Sequence, residues 1–129
     1  MKSNSLRDQI KRLLEDVKNA YDVKEVSYKN ASPDAMYPHI TYEIIAVDVS
    51  DLTRDDYNVD IDIYTRDDEE TALDIGDSVQ EIFSSLNAPD REILPTYFLV
   101  TRQSVEDPDK HIKHEAVRLQ VQLYEAEEE

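Results

Sequence analysis

The sequence predicts an α+β domain, with two helices packed on an antiparallel-rich sheet of about five strands in the order α-β-β-β-α-β-β. Three observations point there. Two stretches repeat apolar residues at helical spacing, five others alternate or run apolar over strand length, and polar clusters with proline or aspartate separate them. Residues 1–125 are expected to form a single domain, because splitting 129 residues in two would leave each core marginal. Residues 126–129 read as an acidic, frayed tail.

Residues 6–21 read as the first helix. Leu6, Ile10, Leu13, Leu14, Val17 and Tyr21 share one face, while Arg7, Lys11, Glu15 and Lys18 take the wet one. Ser5 followed by Asp8 suits a helix start. Residues 23–29 form a short strand candidate and residues 30–34 a loop. After Tyr37-Pro38 a strand is expected at 39–49, with Ile40, Tyr42, Ile44 and Ala46 on one side and Ile45, Val47 and Val49 on the other. Apolar residues on both sides predict cover on both faces, in the middle of the sheet or inside an assembly.

Residues 51–56 read as a polar connection. In 57–64, Tyr57, Val59, Ile61 and Ile63 alternate with Asn58, Asp60 and Asp62, the pattern of a half-buried strand with an acidic outer face. Asp67, Asp68, Glu69 and Glu70 then suit the positive end of a second helix at 71–86, with Leu73, Val79, Ile82, Phe83 and Leu86 inward. Gly76, the only glycine, allows close approach to the sheet, and Asn87-Ala88-Pro89 stops the helix. The last third reads as a hairpin of strands 97–103 and 114–124, linked by 104–113 with a turn at Asp107-Pro108-Asp109-Lys110.

Fourteen basic against 30 acidic residues give a formal charge of −16. That opposes a grip on nucleic acid, which needs Lys and Arg to neutralise phosphates, and docking on an anionic membrane. Three readings of the acidity stay open: solubility, a surface for basic partners, or a surface that must not hold DNA. No apolar run approaches the ~20 residues that span a bilayer, and the N-terminal residues lack the apolar region of a signal peptide. Without cysteine there are no disulfides, thiolate metal sites or thiol nucleophiles, and a cytoplasmic origin is expected.

Little in the sequence suggests catalysis. One glycine cannot build a P-loop or a dinucleotide fingerprint. Asp60 with Asp62, and His111 with His114 beside Asp107 and Asp109, are the candidate metal ligands. The calcium-loop glycine and glutamate are missing, and residues three apart outside a helix do not face each other. A solvated acidic face is the preferred reading, with no cofactor. Asp16-Val17-Lys18 and Asp22-Val23-Lys24 match half of a metal-dependent nuclease motif, but Pro33-Asp34 follows them in the wrong order. No Gly-x-Ser-x-Gly elbow is present, and His39 reads as a structural histidine.

The hairpin residues Tyr97-Phe98-Leu99-Val100-Thr101-Arg102, Glu106-Asp107-Pro108-Asp109-Lys110-His111-Ile112-Lys113-His114 and Leu119-Gln120-Val121-Gln122-Leu123-Tyr124-Glu125, with Tyr37-Pro38-His39-Ile40-Thr41-Tyr42, carry a resemblance. They resemble the tail-completion or tail-terminator proteins of long-tailed bacteriophages and prophages, which share an Asp-Pro-Asp turn, a basic stretch, a closing strand ending near Tyr-Glu and an early Tyr-Pro strand start. The chain departs from them after the turn: where relatives often carry arginines, it has Lys110, His111, Lys113 and His114, then Glu115-Ala116.

The resemblance implies a structural virion protein without enzymatic activity. It would form a ring, commonly hexameric, that caps the tail tube and meets the head connector after assembly in the host cytoplasm. DNA would pass through without being bound, which suits an acidic lumen. Asp60, Asp62, Asp67, Asp68, Glu69 and Glu70 are the candidates to line it. Tyr37, His39, Asp107, Asp109, Lys110, His111 and Lys113 are the candidate assembly contacts. The competing readings are another neck or head-completion adaptor, an acidic DNA-mimicking decoy for a basic host protein, and a small hydrolase or nuclease.

Overall fold

The computed structural model describes residues 2–48, 54–84 and 93–125. Its elements are α1 (Lys2–Tyr21), β1 (Glu25–Tyr28), β2 (His39–Asp48), β3 (Arg54–Arg66), α2 (Glu69–Ser84), β4 (Ile93–Glu106) and β5 (Ile112–Glu125). This is the α-β-β-β-α-β-β order expected from the sequence. The strands form one sheet in the order β1-β2-β3-β5-β4. Only the β1–β2 pair is parallel.

Each helix is built and ended by local chemistry. Helix α1 ends where Asp22 adopts a left-handed φ of 53° and the Val23 N–H reaches back to the Lys18 carbonyl at 3.1 Å. That bond satisfies a carbonyl the helix would otherwise leave orphaned, and it swings Val23 into the core. At the start of α2 the Asp68 carboxylate accepts the Thr71 N–H at 3.0 Å and the Thr71 hydroxyl at 2.7 Å. Those two bonds hold the Asp68 carboxyl below its usual pKa.

Both helices lie on the same face of the sheet. Leu6, Ile10, Leu14 and Val17 of α1 and Ile75, Val79 and Phe83 of α2 are buried against Ile40, Val59, Ile61, Ile63, Val117, Leu119 and Val121. Each such side chain removed from water contributes about 1.5–3 kcal/mol before chain entropy is charged against it. Among the described residues no helix is long and apolar enough to cross a membrane.

Six sequence expectations need correction. Helix α1 begins at Lys2 rather than at Leu6, so Ser5 lies within it and does not start it. Arg54, Asp55 and Asp56 belong to β3 rather than to a connection, while residues 51–53 lie outside the described part. Helix α2 starts at Glu69, because Asp68 caps it there. Its inward stripe is therefore Ala72, Ile75, Val79 and Phe83, and Leu73 sits on the flank, 39% exposed. Residues 104–106, 112 and 113 extend the hairpin strands, so the link is only residues 107–111. Strand β2 is interior to the sheet as expected, but within the chain it is not covered on both faces: Ile45 and Val47 stand 39% and 60% exposed, because among the described residues no helix reaches the second face. Leu86, the stop at residues 87–89, Val49 and the tail 126–129 lie outside the described residues.

Gly76 does permit a close approach, though by one side chain rather than by the sheet backbone. A Cβ at Gly76 would lie 2.7 Å from Arg102 Nη2. The guanidinium cannot simply move aside. Arg102 donates to Asp77, to Glu115 at 3.0 Å, to Gln80 at 3.2 Å and to the Leu73 carbonyl at 3.0 Å. Glu115 is buried, and with Ser104 at 2.7 Å it depends on Arg102 to balance its charge. Gly76→Ala is expected to lower stability in urea denaturation, since overpacking of about 1–3 kcal/mol exceeds the roughly 1 kcal/mol gained in helix propensity. With Arg102→Ala in the same chain the obstacle is gone, and Gly76→Ala should become neutral or stabilising.

Candidate assembly surface

The face of the sheet opposite the helices carries Asp60, Asp62 and His39 of the residues singled out by sequence, with Tyr37 packed against His39. Residues directly opposite in a ladder share a face, so strand register defines cross-strand rows. The five-stranded row towards the hairpin turn reads Glu25, His39, Tyr64, His114 and Val105. Next comes Ser27, Thr41, Asp62, Ala116 and Gln103, followed by Glu43, Asp60, Arg118 and Thr101. The row farther out reads Ile45, Asn58, Gln120 and Phe98.

The first row is a ladder of rings. Tyr37 leans on His39 with centroids 4.8 Å apart, His39 on Tyr64 at 5.0 Å, and Tyr64 on His114 at 4.4 Å. Stacked rings cover one another and bury apolar area without a second layer of structure. The middle rows are held by charge. Arg118 grips both Asp60 oxygens, at 2.6 and 3.0 Å, and His114 Nε2 lies 2.7 Å from Asp62 Oδ1. Two-pronged contact of this kind fixes direction as well as distance.

Two turns meet at the same end. Asp67 N–H donates to the His111 carbonyl at 2.6 Å, and the Asp67 carboxylate lies 2.8 Å from His111 Nδ1. Within the hairpin turn, Asp107 accepts the Asp109 N–H and Asp109 accepts the His111 N–H, each at 2.9 Å. Both aspartates thereby shape the turn through side chains that mimic backbone acceptors.

The sequence-predicted residues therefore fall into distinct settings. Asp60 and Asp62 share a strand face as expected, but each is engaged by a cationic or titratable partner. Asp67 and Asp68 shape the turn before α2, and Glu69 and Glu70 are exposed in its first turn. Tyr37 is half-buried, while His39 is 7% exposed within its own chain. Asp109, Lys110 and His111 are exposed at the hairpin turn, Asp107 is half-buried there, and Lys113 stands opposite Thr65 on the helix-covered face. His111 and His114 do not converge, since each turns to a different aspartate. Among the described residues no group of three or more His, Asp or Glu is placed to hold a metal.

Sequence reading missed Tyr64, Arg118 and Glu25 as parts of this surface. Alternation along each strand was visible, but only the register shows that Arg118 stands opposite Asp60 and His114 opposite Tyr64.

Two titrating groups flank the ladder. Glu25 accepts the Ser27 hydroxyl at 2.6 Å and the Ser32 N–H at 2.8 Å, and these bonds bring its carboxyl down to about 2. Burial lowers the His39 pKa, outweighing the opposing pull of the Met36 backbone and of Glu25. Its Nδ1 has no hydrogen-bond partner among the described residues. The unfolded chain thus takes up the His39 proton first, so stability is complete above about pH 6.5 and falls as pH drops below it. Glu25 acts in a lower window, its contribution present above pH 4.5 and lost as pH falls towards 2. Urea midpoints measured from pH 7 to 3 should decline, and His39→Phe should flatten the part between pH 7 and 5 while leaving the acid limb.

No protein-family model and no curated protein sequence matches the chain. Two solved structures share its architecture. A chain in the virion of a native gene transfer agent particle superposes with a TM-score of 0.65 at 11% identity, covering 85% of this chain and 84% of that one. The gp17 protein of bacteriophage SPP1 superposes with a TM-score of 0.57 at 19% identity, covering 92% of this chain and 88% of that one. At these identities the likeness establishes a common fold.

Proposed function

We propose that this chain is a structural virion protein of the tail-completion kind, forming a ring at the head-proximal end of a long phage tail and joining it to the head connector. One observation carries the reading: its whole fold, not a fragment, recurs in a gene transfer agent virion and in a phage protein. The hairpin and Tyr-Pro resemblance points the same way from residues rather than from backbone shape. A hexamer is the expected count, with the tail tube protein and the head connector as neighbours, and no cofactor, membrane or bound nucleic acid takes part.

In such a ring the acidity has a use. A passage for DNA works best when its wall repels phosphate, and a charge of −16 provides that repulsion. The turn at residues 67–70 is the better candidate for the wall. Asp60 is gripped by Arg118 and Asp62 is hydrogen-bonded to His114, whereas Glu69 and Glu70 stand exposed. The same pairing counts against a DNA-mimicking decoy, which needs uncompensated carboxylates in regular array.

Particles assembled without this chain are expected to separate, in negative-stain images, into filled heads and unattached tails. Supplying the purified chain should restore joined particles and raise infectivity by orders of magnitude. Joined, infectious particles formed in its absence would overturn the reading.

A further inference from the structure

Charge is shared unevenly along this chain. Seven of its 14 basic residues, but only five of its 30 acidic ones, fall in residues 1–29, the stretch that forms α1 and β1. Helix α2 carries five acidic residues and no basic one. Arg7 of α1 lies over Tyr28 of β1, and the flank of α2 at Leu73 and Asp77 is tied by Arg102 to β4. Since β1 and β4 are the two edge strands, the basic and acidic sides stand at opposite borders of the sheet.

The basic border holds a groove of about 400 Å³ lined by Arg7, Asp8, Lys11, Val26, Tyr28 and Tyr42. Tyr42 is buried at its base, and Tyr28 is fixed from two directions. The Tyr28 hydroxyl accepts the Ile44 N–H at 3.3 Å and donates to the Ile44 carbonyl at 3.4 Å, while the Arg7 guanidinium lies 4.0 Å over its ring. Lys29 Nζ approaches the same ring at 6.0 Å. Three cations thus surround an aromatic hollow whose lining includes one acid, Asp8.

The acidic border presents the converse. Leu73 is 39% exposed, and Glu70, Asp74 and Asp77 beside it on the helix are exposed too. Glu70 and Asp74 are four residues apart, a spacing at which like charges oppose the helix unless a cation lies near. An apolar knob with an acidic rim therefore matches a hollow with a basic one.

Strand register puts both at one height. Tyr28, Tyr42, Ile61, Val117 and Arg102 form a single cross-strand row. Arg7 sits over the first of them, and residues 73–77 of α2 gather round the last. Helix α1 runs towards the hairpin-turn end, where β1 begins, and α2 runs away from it after β3. Lys11 therefore lies one turn nearer that end than Arg7, and Glu70 one turn nearer than Asp74. A copy moved sideways without a rise sets Asp74 beside Arg7 and Glu70 beside Lys11. Zero rise closes a ring, whereas a rise winds a filament.

We propose that Leu73 of one copy, with Glu70 and Asp74 beside it, seats in the Arg7–Lys11 groove of a second copy, joining α2 of one to α1 and β1 of the next. Side chains above the sheet make the contact, so β1 keeps its edge and no strand is added. The two halves are different surfaces, as a closed head-to-tail ring requires, and their opposite charges fix partner and register. The inference rests on the ring reading above and adds the interface. Of the two exposed glutamates offered for the wall of the passage, Glu70 meets the neighbour and Glu69 is left to the wall.

Two charge reversals test it by light scattering: Arg7→Glu with Lys11→Glu in the groove, and Glu70→Lys with Asp74→Lys on α2. All four side chains are exposed, so both variants should keep the wild-type circular dichroism. Should either lose it, the single changes Lys11→Glu and Glu70→Lys, which spare the Arg7–Tyr28 stack, replace them with the same expectations. Wild-type chain should assemble, and each variant alone should be monomeric. The α2 variant is less acidic than the wild type, so general repulsion would favour its assembly rather than prevent it. Mixed in equal amounts, the two variants should regain the wild-type mass, because each reversed surface then meets its reversed counterpart. If the wild type assembles but either variant assembles equally well, or the mixture stays monomeric, the groove contact is wrong and the ring stands. A wild type that remains monomeric up to millimolar concentration removes the ring and this interface together.

Discussion

Both helices cover the same face of the sheet, and this one-sided cover is the constraint from which the rest follows. The covered face is built mainly from aliphatic side chains, Val59, Ile61, Ile63, Val117, Leu119 and Val121 being almost fully buried, with Glu115 held among them by Arg102. The other face has to hold its strands together in contact with water. It does so with rings stacked across strands and with carboxylates paired to Arg118 and His114, interactions that tolerate hydration on one side. Polar groups are thus spent where burial is impossible, and they also keep the surface from being uniformly acidic.

Much of the architecture could be read from the residues. Helical spacing from Leu6 to Val17 and alternation from Tyr57 to Ile63 each have one physical solution, a stripe or a face turned to the core. The boundaries of α2 and of the hairpin could not be read as well, because four acidic residues in a row, Asp67 to Glu70, do not show which of them caps the helix, and the β4–β5 ladder runs on through polar residues that alternation does not mark. Leu73 illustrates the error: a large apolar residue in an amphipathic helix, it was one position from the true stripe. The surface was legible only as composition. Its acidic residues were visible, whereas the pairing of Asp60 with Arg118 and the bond between Asp62 and His114 follow only from the register with β5.

The single glycine shows how one sequence feature can be read correctly for the wrong reason. A missing side chain at Gly76 marks a place where something comes near, and what comes near is a guanidinium bridging α2 to a buried carboxylate on β5. Arg102 therefore links the hairpin to the second helix, and the hairpin is also the part whose residues resemble phage tail-completion proteins. Rigid seating of that hairpin suits the joining role proposed above.

The Tyr28 hydroxyl carries one further implication. By occupying both backbone groups of Ile44, a phenol stands in for the strand that would otherwise begin there. One side chain thus does within the molecule what a further length of backbone would do, and the border of the sheet is finished at that residue without another strand. Tyr28→Phe would leave the core in place and hand both groups of Ile44 back to water.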